Sequence, residues 1–161
     1  TTGQQNSCLG VSAGDVTTTG SNNTTIGFTA DPSSATASNE VTLGNSSISS
    51  LRCADTSISS LSDRRDKTDI VDLPVGLDLI NSLLPRKFKW QTREGVPTKD
   101  GTVRAGFIAQ ELQEAQVGSE YLDLVMDSNP EKLEAKQGKL IPVLVKAIQE
   151  LSAKVTALEA G

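Results

Sequence analysis

Ser62-Asp63-Arg64-Arg65-Asp66-Lys67 marks the point at which one kind of chain gives way to another, and the fold is read outward from it in both directions. Of the 161 residues, those up to Ser62 include no lysine and one arginine, Arg52, while Ser and Thr fill about two-fifths of the segment. Such a composition is too poor in large apolar residues to build an ordinary core within one chain. Residues 63–161 carry the other 14 Lys and Arg, the single Trp and Tyr, and long helical patterns. Two units of different physical type, 1–62 and 63–161, are therefore expected.

The totals exclude several functions. A net charge of −5 with no Lys/Arg-rich run argues against a nucleic-acid partner or an anionic membrane, because phosphate binding needs a concentrated basic face. No apolar run approaches the roughly 18 residues of a membrane span, and Thr1 to Gln5 lack the basic-then-apolar order of an export signal. Cys8 and Cys53 have no His or second Cys nearby, so no metal site or other cofactor is expected, and both read as buried free thiols.

Toward the N-terminus one pattern returns at a constant interval. Asn6-Ser7-Cys8-Leu9-Gly10, Asn23-Thr24-Thr25-Ile26-Gly27 and Glu40-Val41-Thr42-Leu43-Gly44 are displaced by 17 residues each, with an aliphatic residue before glycine every time. A disordered linker has no reason to keep that register. A short strand with one inward aliphatic side chain, followed by a glycine free to take positive φ, is the unit of a β-roll or β-helix coil. One coil buries little, so Leu9, Ile26 and Leu43 are expected to be buried together by three chains around a shared axis. Ile48, Leu51, Ile58 and Leu61 continue at intervals of three, seven and three. That spacing suits a narrow helical seam or successive coils of a triple-stranded β-helix, and the surrounding serines, whose hydroxyls compete for backbone groups, favour β structure.

At the junction the chemistry is constrained by what is missing. The chain has no histidine, which removes Ser-His-Asp, Cys-His and His-ligated metal catalysis. A serine can still be activated by a lysine held as the neutral amine, and Ser62 and Lys67 supply that pair. Arg64 and Arg65 would lower the Lys67 pKa, while Asp63 and Asp66 would raise it. Five residues span at most about 17–18 Å when extended, so a Ser62–Lys67 pair within one chain requires a turn.

Beyond the junction, Thr68 or Asp69 can cap a segment leading to a helix whose face is Leu77, Ile80 and Leu84, stopped by Pro85. Arg86-Lys87-Phe88-Lys89-Trp90 alternates as a half-buried strand, residues 95–101 read as a hairpin turn before Thr102 to Ile108, and Ala109 to Val117 read as helix. Ile141, Leu144, Ile148, Leu151, Val155 and Leu158 fall at alternating spacings of three and four, the a/d seam of a coiled coil over about 140–160.

In this order, Ser62-Asp63-Arg64 with Lys67, Ile70, Leu77, Ile80 through Leu84-Pro85, Phe88-Lys89-Trp90, Gly106-Phe107-Ile108-Ala109-Gln110-Glu111-Leu112 and the helix around Leu144 to Leu151 resemble the intramolecular chaperone domain of endosialidases and phage tailspikes, the S74 peptidase family. The 17-residue copies resemble head repeats of trimeric adhesins, and Asn39 to Asn45 resembles the neck sequence found near the ends of phage tail fibres. The resemblance implies an α+β, intertwined homotrimer with a β-roll or triple β-helix-like stem (1–62) and a mixed chaperone domain (63–161) ending in a coiled-coil helix. It implies self-cleavage between Ser62 and Asp63 by a Ser62–Lys67 pair; by their charges alone, Arg64, Arg65 and Asp66 are the candidates for tuning the lysine. Ile or Val at a with Leu at d ordinarily favours two strands; the family's trimers override that rule. The implied partners are two further copies, the stem of the same polypeptide and a host-cell surface receptor reached through upstream regions. Processing would occur in the host cytoplasm, and the mature stem would sit in the virion tail.

The cut itself is geometrically awkward. Ser62 attacking its own carbonyl carbon would close a strained four-membered lactone, and an N-to-O acyl shift breaks the bond before Ser62. Attack by Ser62 of a neighbouring chain, or by the Asp63 carboxylate on the preceding carbonyl, avoids both. The competing readings are an uncleaved structural or receptor-binding fibre tip and a membrane-bound transcription factor carrying a related cleavage domain; charge and the missing span disfavour the latter.

Overall fold

The computed structural model describes residues 1–55, 57–91 and 101–161. The three repeats form three short strands, β1 (Ser7–Leu9), β2 (Thr24–Ile26) and β3 (Val41–Leu43), paired in parallel in the order β1-β2-β3. Ser7 stands opposite Thr24 and Thr24 opposite Val41, so the 17-residue interval is the register of the sheet. The ladder runs on outside the strands: Gly14 N–H donates to the Ala30 carbonyl, Thr18 to Ala35 and Asn39 to Ser21. Each coil thus lies on the next around most of its circuit.

Asparagine holds the interior. Asn23 Oδ1 accepts the Glu40 N–H at 3.0 Å, and Asn6 Oδ1 accepts the Asn23 N–H at 3.0 Å. Their amide nitrogens donate to the Ala37 and Gly20 carbonyls at 2.8 and 2.9 Å. A buried amide is tolerated only when its donors and acceptors are met, and here the same four groups recur one coil apart. Gln5, Asn22 and Asn39 repeat a left-handed turn at φ of 61°, 58° and 64°, and Asn22 Nδ2 donates to Asn39 Oδ1 at 2.8 Å. Gly20 is required by close approach, because a Cβ there would stand 2.0 Å from the Ala37 carbonyl oxygen.

Within one chain the aliphatic residue of each copy does not face the coil interior. Thr25 and Asn23 are 1% and 2% exposed, whereas Ile26 is 41% and Leu9 69% exposed. Alternation in a three-residue strand turns its centre inward and its flanks outward, so the centre of β2 is Thr25 and the aliphatic residues form an outer column. Cys8, at the centre of β1, is exposed, as is Cys53, against the expectation of buried thiols; β1 has a neighbouring coil on one side only. Among the described residues between β3 and Asp63 no strand or helix forms, and Leu51, Ile58 and Leu61 are exposed. A triple-stranded β-helix takes its ladder from neighbouring chains, and within one chain the described part of this segment makes mainly local turn bonds, such as Ile48 N–H to the Asn45 carbonyl at 3.0 Å.

The C-terminal body is mixed α and β. It comprises α1 (Leu77–Ser82), the antiparallel pair β4 (Arg86–Lys89) and β5 (Val103–Gly106), α2 (Ala109–Ala115), the pair β6 (Val125–Met126) and β7 (Glu134–Ala135), and α3 (Ile141–Glu159). The expected hairpin strands pair as read, with Phe88 opposite Arg104; most of its turn, residues 95–100, lies outside the described residues. Leu79, Leu83, Leu112, Leu122, Leu124, Val125, Leu140 and Val143 form the core, each such side chain contributing roughly 1.5–3 kcal/mol when fully buried.

Two local expectations change. The buried residues of this segment are Leu79 and, just past the end of α1, Leu83; of the expected face Ile80 packs against the core as read, whereas Leu84 is exposed, because α1 lies on α3 through a face turned slightly from the one expected. Thr68 and Asp69 do not cap it, since the helix begins only at Leu77; Thr68 Oγ1 donates instead to Asp69 Oδ2 at 2.9 Å. The cap comes from α3, where Glu150 Oε2 accepts the Leu77 N–H at 2.8 Å. Gly76 makes room for it, because a Cβ there would meet that carboxylate oxygen at 2.7 Å. Helix α3, with Pro142 in its first turn, buries Val143 and Ala147 against the body.

Candidate functional site

The junction is shaped by its own side chains. Asp63, extended at φ −66° and ψ 138°, accepts the Arg65 N–H on Oδ1 at 2.8 Å and so caps a single 3₁₀ turn, Arg64–Asp66. The Arg65 guanidinium folds back on the same carboxylate, Nε to Oδ1 at 3.0 Å and Nη2 to Oδ2 at 2.7 Å. These bonds hold the Asp63 carboxyl below its ordinary value and raise the Arg65 guanidinium. The turn closes with the Lys67 N–H donating to the Arg64 carbonyl at 3.2 Å.

The chain then doubles back far enough for Lys67 Nζ to donate to Ser62 Oγ at 2.5 Å. The turn that a same-chain contact requires is thus supplied within four residues. Both side chains are exposed, so water reaches the pair in a single chain. The Asp63 carboxylate has both oxygens engaged by Arg65, whereas the Ser62 hydroxyl is met by Lys67. Among the described residues Arg64 and Asp66 form no side-chain hydrogen bond or ion pair.

The remaining residues singled out lie elsewhere. Ile141, Leu144, Ile148, Leu151, Val155 and Leu158 line one exposed side of α3, from 43% exposed at Leu144 to 82% at Leu158. They do not pack on the body; that is done by Val143 and Ala147. Arg86 grips Glu111 through Nε at 3.0 Å and Nη2 at 2.6 Å, fastening α2 to β4. This pair holds the Glu111 carboxyl below its ordinary value. Among the described residues no cluster of three or more His, Cys, Asp or Glu could hold a metal, and no helix is long and apolar enough to cross a membrane. Sequence reasoning missed the Asp63–Arg65 clasp and the Glu150 cap; an Asp two residues before Arg signals the former, whereas the latter spans 73 residues and has no local signal.

Residues 62–122 match the family model described as Chaperone of endosialidase, Peptidase S74. The matched stretch opens on Ser62 itself and runs through α1, the β4–β5 pair and α2. The match supports a chaperone-domain role related to endosialidase and tailspike assembly, and its name carries a protease lineage. No curated protein and no solved structure matches the chain.

Proposed function

We propose that residues 63–161 are an intramolecular chaperone that gathers three chains of a phage tail fibre or tailspike, lets the stem of residues 1–62 close, and is released by self-cleavage between Ser62 and Asp63. The observation that carries this reading is the Lys67 Nζ to Ser62 Oγ contact at 2.5 Å, at the first residue of the family match. Two unpartnered apolar surfaces support assembly: the outer column of Leu9, Ile26 and Leu43, and the α3 seam. Contiguous exposed apolar rows on one molecule are the mark of an interface.

In the proposed reaction a neutral Lys67 amine takes the Ser62 hydroxyl proton as Oγ attacks the carbonyl carbon of the Ser62–Asp63 bond in a neighbouring chain. The C–N bond breaks as the lysine returns the proton to the Asp63 nitrogen, leaving an ester on Ser62. Water hydrolyses the ester, giving a carboxylate and the free serine. Covering by neighbouring chains would strip water from the exposed pair and favour the neutral amine, so cutting would follow assembly. The site would then work in the host cytoplasm, with the stem retained in the virion tail and any surface receptor engaged through upstream regions.

A second reading, an uncleaved fibre tip, draws on one bond: Asn129 Nδ2 donates to the Ser33 carbonyl at 2.9 Å and ties the body to the coils. Denaturing gels of the intact chain beside Ser62→Ala and Lys67→Ala separate the two. Cleavage predicts a stem fragment ending at Ser62 in wild type and none in either variant; a wild-type trimer that stays full length rules out self-processing. Cutting restored on mixing the two variants would show that the pair is shared between chains.

A further inference from the structure

The geometry points to Asp63 and Arg65 as positioning residues that hold Lys67 on Ser62, an inference that rests on the cleavage reading above. Among the described residues Ser62 Oγ and Lys67 Nζ make no side-chain hydrogen bond except to each other, and neither packs against the body. What brings them together is the intervening turn. Its backbone contributes two weak 3.2 Å bonds, Asp66 N–H to the Asp63 carbonyl and Lys67 N–H to the Arg64 carbonyl. A lone 3₁₀ turn in water is marginal, because its hydrogen bonds are poorly aligned and the cost of ordering the backbone is spread over few of them.

Arg65 adds three further bonds to the Asp63 carboxylate, one from its backbone and two from its guanidinium. Together these fix the carbonyls of residues 63 and 64 toward the amides of 66 and 67 and set the direction in which the lysine leaves the turn. The clasp also occupies the Asp63 carboxylate, which keeps it from the adjoining scissile carbonyl. Arg65 therefore acts by geometry rather than by placing positive charge near Lys67. Arg64 provides the internal control: it has the same charge and stands closer in sequence to Ser62, but its side chain makes no such bond.

The test is the rate of self-cleavage of the full chain, read on denaturing gels as a function of pH, for wild type, Arg65→Ala, Arg64→Ala and Arg65→Lys, with assembly followed by light scattering. Arg65→Ala keeps the backbone cap but loses the guanidinium bonds, and should cut about threefold to fivefold more slowly, the upper end for an exposed ion pair, with the plateau lowered and the pH midpoint unmoved. Arg64→Ala should stay within about twofold of wild type, and Arg65→Lys should recover only part of the loss, since an ammonium cannot span both carboxylate oxygens as a guanidinium does. Equal slowing in both alanine variants with a shifted midpoint would mean that charge tunes the lysine, and the clasp idea falls. Wild-type cutting by Arg65→Ala, or loss of assembly in it, overturns the inference while the cleavage reading stands. An uncut wild-type trimer removes the cleavage reading and this role with it.

Discussion

In the coil stack the interior holds Asn23, Thr25 and Ala30, while Leu9, Ile26 and Phe28 lie outside; in the body Leu112, Leu124 and Val143 lie inside, and charged side chains such as Arg86 and Lys139 lie outside. The stack is held along its axis by amide and backbone bonds that repeat from coil to coil. Its interior offers little apolar burial, and its large apolar side chains are exposed in a single chain. The body gains its stability from apolar contacts among elements distant in sequence and can order itself first. Only α3 belongs to both schemes, burying Val143 and Ala147 within the chain and leaving the Ile141 to Leu158 row exposed. This division suits the proposed order, in which the body folds before the stem.

The sharpest way to break that contrast is to open the apolar core. Leu112→Ala should destabilise the body by about 2–5 kcal/mol, the range for deleting a buried leucine side chain, and should lower the unfolding midpoint read from Trp90 fluorescence. Trp90 is the chain's single tryptophan and lies just past β4, its ring edge-on to that of Phe88, so it reports the body. The corresponding blow to the coils is polar. Asn23→Ala removes two buried acceptor and donor bonds and leaves the Glu40 N–H and Ala37 carbonyl without those partners, at roughly 1–3 kcal/mol for each group stranded in the interior. Amide exchange should quicken across β1 to β3, while the Trp90 midpoint stays put.

Acid provides the smallest and most selective probe. Glu111 is held below its ordinary 4.5 by Arg86, and Asp123 below 3.8 by Lys136 and Lys139. A carboxyl with a depressed folded-state pKa stabilises the fold above its unfolded value and loses that contribution as pH falls through the folded one. The Trp90 midpoint should therefore be flat above about pH 5 and decline below about pH 4.5. The decline should be slight, because both pairs are open to water and screened. Asn6 and Asn23 do not titrate, and a decline confined to the coils would reverse the assignment of these ion pairs to body stability.

Where the signal was local or strictly periodic, the sequence was readable. The 17-residue interval became the strand register, Arg86 to Lys89 became a strand paired with Val103 to Gly106, and Ala109 began a helix. The Ser62–Lys67 pair was legible as a pair of residue types, and the clasp that joins them lies within the same six residues. Direction was less readable. A period marks which residues are equivalent without saying which side lines the coil of one chain, where Asn23 and Thr25 are buried and Leu9, Ile26 and Leu43 form an outer column.

By itself, then, the sequence determined the change of composition near Ser62, the repeat length, the absence of histidine and the apolar row of α3, because each depends on residue identity or spacing along the chain. Tertiary structure alone decided that asparagine and threonine fill the coils, that Leu79 and Leu83 rather than Leu77 and Leu84 face the core, and that Glu150 caps a helix 73 residues away. Those outcomes depend on which surfaces meet in space, and spacing along a chain carries no record of that.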